Sequence, residues 1–237
     1  MSVAVKIGVY AGAGTYSGCV SAAKRHAGER WGHEVIELCA ADIQAGMAQE
    51  LELDVIVFPG GGGEKQGRGL EEAGREAVRA FVGAGGGYLG LCAGAFLATE
   101  SRPDYIHLLP LKRLSPWRRG SNFVALERNP TSDGATRVLP SPRAPMYYCN
   151  GPILAPTRED HGLDVWATFA SEVDEELERE LPSERKMIGK WAIVAGRFWE
   201  GRVLLYSPHP ELTVDGGYSA DVVLRSSVDW LCGEDSI

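Results

Sequence analysis

No pair of cysteines in this 237-residue sequence is spaced Cys-x-x-Cys, and its five cysteines, Cys19, Cys39, Cys92, Cys149 and Cys232, are odd in number and scattered. Neither a cysteine-paired zinc site nor a thioredoxin-like motif is therefore indicated, and a disulfide framework is not expected at this length and density. No uninterrupted stretch of roughly 18 apolar residues exists, so no transmembrane helix is expected. Lys6 interrupts the short apolar run at the N-terminus, and no signal-peptide core with a cleavage site follows. These absences lead us to expect a cytoplasmic protein with reduced thiols and no membrane partner. Positive charge is also in short supply. Lys+Arg number 24 against 32 Asp+Glu, a net charge of −8, which is a poor electrostatic basis for binding nucleic acid.

Nucleotide-binding signatures fail one by one. Gly85-x-Gly87-x-x-Gly90 has the dinucleotide spacing but leads into a strand instead of following one. Gly12 and Gly14 follow a strand, but the next glycine, Gly18, comes one residue late, and Gly189-Lys190 runs into Trp191, so no Walker A loop forms. No metal and no organic cofactor is expected.

Glycine, by contrast, is abundant. Thirty glycines make up about 13% of the chain, against an average near 7%. They cluster in a few loops, the pattern expected where backbone must approach backbone or a ligand. The loops punctuate an alternation of elements. Val3 to Tyr10, Glu34 to Cys39, Asp54 to Phe58 and Tyr88 to Cys92 read as strands. Ser17 to Trp31, Asp42 to about Leu51, a stretch carrying Leu70, Ala73, Ala77, Ala80 and Phe81, and Ala93 to Thr99 read as helices between and after them. This rhythm predicts an α/β fold with a parallel sheet covered on both faces and ligands bound beyond the carboxyl ends of its strands. From Ser101 to about Pro156 the rhythm breaks into a Pro-, Arg- and Ser-rich region with short strands at Phe123 to Leu126 and Met146 to Cys149. Asp164 to Ala170 reads as a strand, Ala192 to Phe198 with Arg202 to Tyr206 as a hairpin, and Tyr218 to Leu231 as a final helix. With no linker or repeat, residues 1–237 read as one domain with an irregular insertion at roughly 101–156. The basic segment from Lys112-Arg113 to Trp117-Arg118-Arg119 is either an anion or partner patch or an exposed loop, and the acidic stretch Glu172 to Glu180 reads as a solvated face.

The sharpest local feature is Gly90-Leu91-Cys92-Ala93-Gly94, placed where a strand ends and a helix begins. A nucleophile on such a tight turn needs small residues two positions before and after it, and both are glycine here. The turn would lift the Cys92 thiol above the sheet, with the Ala93 amide available to an oxyanion. The bland alternative is a buried structural cysteine. A nucleophile needs a base. Of five histidines, His209 in Tyr206-Ser207-Pro208-His209-Pro210-Glu211 follows a strand and precedes a proline. Extended geometry there would put Glu211 on the same side as the imidazole, giving a base with a carboxylate orienter.

These residues resemble a family. The order strand–Pro-Gly-Gly, Gly-x-Cys-x-Gly and His-Pro-Glu is similar to the class I glutamine amidotransferase-like superfamily. A closer resemblance is to the N-terminal domain of biotin–protein ligases and its stand-alone bacterial relatives. It is carried by Val57 to Gly62, Gly87 to Gly94, Tyr148-Cys149-Asn150-Gly151-Pro152 and Gly201 to Glu211. The resemblance implies a flavodoxin-like three-layer α/β sandwich with a mainly parallel central sheet and a nucleophile elbow. It also implies Cys92 as nucleophile, His209 as base, Glu211 as its orienter, and an oxyanion hole from Ala93 with Gly61 or Gly62. Asn150-Gly151 is expected beside the thiol on the substrate side of the pocket, unless it is a plain turn. The activity implied is cysteine-dependent hydrolysis or transfer of a small-molecule amide or peptide, with a synthetase or ligase as the partner protein a transferase would use. Neither a synthetase nor a ligase catalytic domain is found in these 237 residues, and glutamine specificity is not legible in them. The alternative is a non-catalytic binding or regulatory module that keeps the elbow for structural reasons.

Overall fold

The computed structural model describes residues 4–115, 120–174, 182, 186–213 and 220–233. Five strands lie side by side in parallel, in the order β2 (Glu34–Leu38), β1 (Lys6–Tyr10), β3 (Val55–Phe58), β4 (Gly87–Leu91) and β11 (Gly201–Tyr206). β11 then pairs antiparallel with β10 (Trp191–Phe198), and the sheet continues antiparallel through β9 (Asp164–Phe169), β6 (Ser121–Arg128) and β7 (Arg143–Cys149). Two short strands, β5 (Leu111–Arg113) and β8 (Leu154–Pro156), pair with each other at the margin. The helices are α1 (Ser17–Ala27), α2 (Ala40–Gln44), α3 (Met47–Glu50), α4 (Gly63–Gly83), α5 (Ala93–Leu97), α6 (Asp133–Val138) and α7 (Ala220–Leu231). The architecture is the expected flavodoxin-like α/β sandwich with a mixed sheet whose core strands are mostly parallel.

The layers follow from strand periodicity. Successive side chains point to opposite faces, so Val55 and Val57 of β3 join one apolar cluster while Ile56 and Phe58 join the other. The first cluster is closed by α1 and α7 through Val20, Ala23, Val223 and Leu224. The second is closed by α4 through Leu70, Val78 and Phe81. Each valine, leucine or phenylalanine among them contributes about 1.5–3 kcal/mol on burial.

Several expected elements differ in detail. The helix expected from Asp42 to Leu51 is two short helices, because Gly46 between them takes a left-handed conformation (φ 81°). Asp42 is not the residue before the helix but its third, where its carboxylate accepts from the Cys39 amide at 2.8 Å. α4 begins at Gly63 and breaks at Glu71 (φ 55°, ψ −175°). The irregular region carries β5 to β8 and α6, and its strands β6 and β7 form the outer end of the sheet. Residues 116–119 of the basic segment, 175–180 of the acidic stretch and the first two residues of the last expected helix lie outside the described residues. Among the described residues no helix is long and apolar enough to cross a membrane.

Candidate active site

Strand β4 delivers Cys92 to the carboxyl edge of the sheet. Its backbone sits at φ 50°, ψ −96°, a conformation an L-residue adopts only under constraint, and α5 starts at the next residue. The constraint is visible. The Cys92 amide donates to the Tyr206 carbonyl at 2.8 Å, tying the turn to the end of β11. A Cβ on Gly94 would stand 2.0 Å from the Phe58 carbonyl oxygen, and one on Gly90 would stand 2.7 Å from the Gly94 carbonyl oxygen. Both flanking glycines are thus demanded by backbone contact. The fully buried Tyr88 hydroxyl donates to that same Gly94 carbonyl at 2.8 Å and props the turn from below. The Cys92 sulfur, itself buried, lies 3.4 Å from the Cys149 carbonyl oxygen.

His209 follows β11, where the Cys92 turn is anchored. Its amide donates to the Tyr147 carbonyl at 2.7 Å, and Thr213 Oγ1 donates to its carbonyl at 2.9 Å. Glu211 reaches Nδ1 with Oε1 at 2.8 Å. The reason differs from the one expected. Residues Pro210–Leu212 form a 3-10 turn, so the carboxylate curls back onto the ring instead of running alongside it in an extended chain. Both side chains are buried, at 3% and 1% exposure. Burial works to strip charge from His209. The Glu211 carboxylate, followed by the Cys92 and Cys19 sulfurs, outweighs it and holds the imidazole pKa well above its usual value. The other four histidines are engaged elsewhere: His26 with Asp221, His33 with the Val5 amide, His107 with the Arg102 carbonyl and His161 against the Trp191 ring.

One cavity of about 440 Å³ joins these parts. It is lined by Tyr16, Cys19, Gly61, Cys92, Tyr147, Cys149, Asn150, His209 and Leu212. Of the Asn150-Gly151 pair, only Asn150 reaches it. Asn150 is held at φ 55° while its Oδ1 accepts from the Gly120 amide at 2.9 Å, whereas Gly151 is packed tightly onto the Ser207 carbonyl. The two glycines expected to offer an oxyanion amide are also separated. Gly62 donates to the Gly14 carbonyl at 2.8 Å and lines a neighbouring cleft of about 760 Å³ with Lys65 and Arg68. Its amide is already engaged, which removes it as a donor. Gly61 pairs with Thr15 in an isolated antiparallel bridge whose hydrogen bonds are made by the flanking residues Gly62 and Tyr16. In such a pair the central N–H points away from its partner, so the Gly61 amide stays free of the bridge. Ala93 is the first residue of α5, where a helix leaves its N–H groups without internal partners.

Cys19 was not among the candidates read from the sequence. It sits in the first turn of α1, buried, with its sulfur 4.0 Å from His209 Nδ1. Burial pushes its thiol pKa up, opposed in part by the hydrogen bond to His209. The available signal was positional: the loop after β1 ends at the same carboxyl edge as the elbow, so the first turn of α1 faces the site. Tyr147, whose ring centroid is 6.1 Å from that of His209, and Tyr16, 65% exposed at the rim, are further additions.

Residues 5–103 match the family profile described as biotin-protein ligase, N terminal. The match takes in the third-strand glycines and the elbow, while Asn150 and the His-Pro-Glu segment lie beyond it. A search of curated proteins found no match. Among solved structures, a chain of PurLQS from Thermotoga maritima is 16% identical with a TM-score of 0.66, the likeness covering 98% of this chain and 99% of that one. A protein from Thermoplasma acidophilum, provisionally identified as a GMP synthase subunit, is 12% identical with a TM-score of 0.63, covering 99% and 96%. The β-galactosidase of Bacillus circulans sp. alkalophilus is 10% identical with a TM-score of 0.58, covering 97% of this chain but 31% of that one. At these identities the likeness is one of fold, and one fold hosts many chemistries. The resemblance read from the sequence stands at that level, a biotin–protein ligase N-terminal pattern over residues 5–103 on a glutamine amidotransferase-like fold.

Proposed function

We propose that this chain is a cysteine-dependent amide hydrolase or acyl transferase of the class I glutamine amidotransferase-like kind. The observation that carries the reading is the strained backbone of Cys92, at φ 50° and ψ −96°, opening into the same cavity as a histidine held by a buried carboxylate. In this reading the Cys92 thiol passes its proton to the His209 ring and its sulfur attacks the carbonyl carbon of an amide. The C–S bond forms as the carbonyl π electrons move to oxygen, and the amides of Ala93 and Gly61 receive that oxyanion. In comparable sites each donor is worth about 2.7–4 kcal/mol. The raised pKa of His209 keeps a proton on the ring, and the ring delivers it to the leaving amine as the C–N bond breaks. The neutral imidazole then takes a proton from water, whose oxygen displaces the sulfur and releases the acid. Glu211 holds the ring through Nδ1, which in this reading leaves the other nitrogen to exchange the proton with the thiol.

The substrate is a small amide or a peptide that enters past Tyr16 and Asn150. The likeness to a chain of PurLQS supports a synthetase as the partner that would receive released ammonia. The test is turnover of a panel of glutamine, simple primary amides and short peptides by the wild type and Cys92→Ser. The reading expects at least one class to be hydrolysed by the wild type and none by the variant. No turnover of any class by the wild type would return the chain to the class of binding modules, and equal non-zero rates would remove Cys92 as the nucleophile.

A further inference from the structure

Catalysis at Cys92 uses one sulfur, and the structure places a second, that of Cys19, beside the same base. Cys19 Sγ, His209 Nδ1 and Glu211 Oε1 come from two elements far apart in the chain. Their ligand atoms all lie within 4.8 Å of one another, with Sγ to Nδ1 at 4.0 Å and Nδ1 to Oε1 at 2.8 Å. All three side chains are buried. A second, independent observation concerns Glu211 Oε2, which is buried and has no hydrogen-bond partner among the described residues. An orphaned carboxylate oxygen in a dry site is costly unless a donor or a cation meets it. Cys19 and His209 both line the cavity, so an ion has a route in and an open coordination position facing out.

We propose that Cys19, His209 and Glu211 form a binding site for zinc, and that zinc bound there silences the Cys92 centre. The donor set selects the metal. One thiolate, one imidazole and one carboxylate are zinc ligands, whereas magnesium and calcium require oxygen, and three protein ligands with one open position suit a tetrahedral ion. With the usual bond lengths of about 2.0–2.3 Å, a tetrahedral zinc needs its ligand atoms about 3.4–3.6 Å apart. The sulfur must close in slightly and the carboxylate must open away from the ring, a rotation that Oε2 can complete by turning toward the metal. On coordination the Cys19 thiol proton and the Nδ1 proton leave to solvent. The ring then keeps its remaining proton on Nε2, so it has no lone pair with which to accept the proton of Cys92. Metal binding by itself does not depend on the hydrolase reading; the silencing does.

The test is binding of zinc, and of cobalt as a spectroscopic stand-in, to the purified full chain in competition with a chromogenic chelator. The proposal expects one equivalent, a thiolate-to-cobalt charge-transfer band, and protection of Cys19 from iodoacetamide in the unmodified protein, read by peptide mass spectrometry. Cys19→Ser and Glu211→Gln should weaken zinc binding by more than the roughly 10–100-fold that loss of an outer-shell partner costs. Cys92→Ser should keep the band. No stoichiometric binding, a band that survives Cys19→Ser, or a band lost with Cys92→Ser would overturn the site. Protection of Cys19 is measured without any substitution, so a variant that fails to fold does not blunt the test. A chain that turns over amides but ignores zinc refutes this inference alone. A chain that binds zinc at Cys19 but hydrolyses nothing refutes the hydrolase reading alone.

Discussion

Glu211 and His209 are held together by a single 3-10 turn, the carboxylate lying 2.8 Å from Nδ1 with both side chains buried. The orienter therefore travels with its base, and no other element has to move for the pair to form. Glu211→Gln keeps the shape and removes the charge. It is expected to lower kcat on any substrate found by about 10²–10⁴-fold, the range over which a general acid–base group contributes, with a near-native melting temperature. Steady-state kinetics beside a thermal melt separates this from loss of fold.

Gly94 and Gly62 make opposite predictions from the same substitution. Gly94→Ala would drive a Cβ into the Phe58 carbonyl and is expected to cost about 1–3 kcal/mol or more. Gly62→Ala meets nothing nearer than 3.8 Å at an ordinary extended conformation (φ −103°), and its stability should stay within about 0.5 kcal/mol. Urea midpoints of the two variants check the pair.

Tyr88→Phe removes the hydroxyl that props the elbow and leaves the Gly94 carbonyl without that partner. A loss of about 1–3 kcal/mol is expected from the buried orphan, together with a lower kcat and little change in KM, because the thiol is repositioned while the cavity walls stay. A change in KM alone would contradict this role.

Alkaline stability carries a defined sign. Burial, helped by the nearby Cys39, pushes the Tyr10 phenol up to about 12, and burial holds Tyr88 well above the usual tyrosine value of 10.0. Both keep their protons in the fold where the unfolded chain loses them. The contribution of each is complete below pH 10.0 and is lost as pH rises, for Tyr10 from there toward about 12. Phenolate absorbance followed alongside circular dichroism should show these two tyrosines ionising only as the chain unfolds. Their early ionisation in a folded protein would contradict the burial argument.

What the sequence made legible was local. The elbow pentapeptide announces itself because backbone contact requires glycine at both ends, and strands β1, β3 and β4 announce themselves by nearly continuous apolar runs. His209 was legible by its place after a strand and beside a carboxylate. Cys19 was not, because only the packing of α1 against the carboxyl edge brings it across 190 positions to the ring. The choice between Gly61 and Gly62 was equally hidden, since it turns on the Gly14 carbonyl taking up the Gly62 amide. The short strands β5 and β8 exist only as partners of each other and of β10, so no periodicity within them could be read.

The central claim is that the Cys92 thiol is activated by His209. The most direct measurement is the rate of iodoacetamide labelling of each cysteine near neutral pH, by peptide mass spectrometry, in the wild type and in His209→Ala. The account predicts that buried Cys92 labels faster than exposed Cys39 and that the substitution slows Cys92 while leaving Cys39 unchanged. Labelling of Cys39 ahead of Cys92, with a Cys92 rate indifferent to His209→Ala, would contradict it.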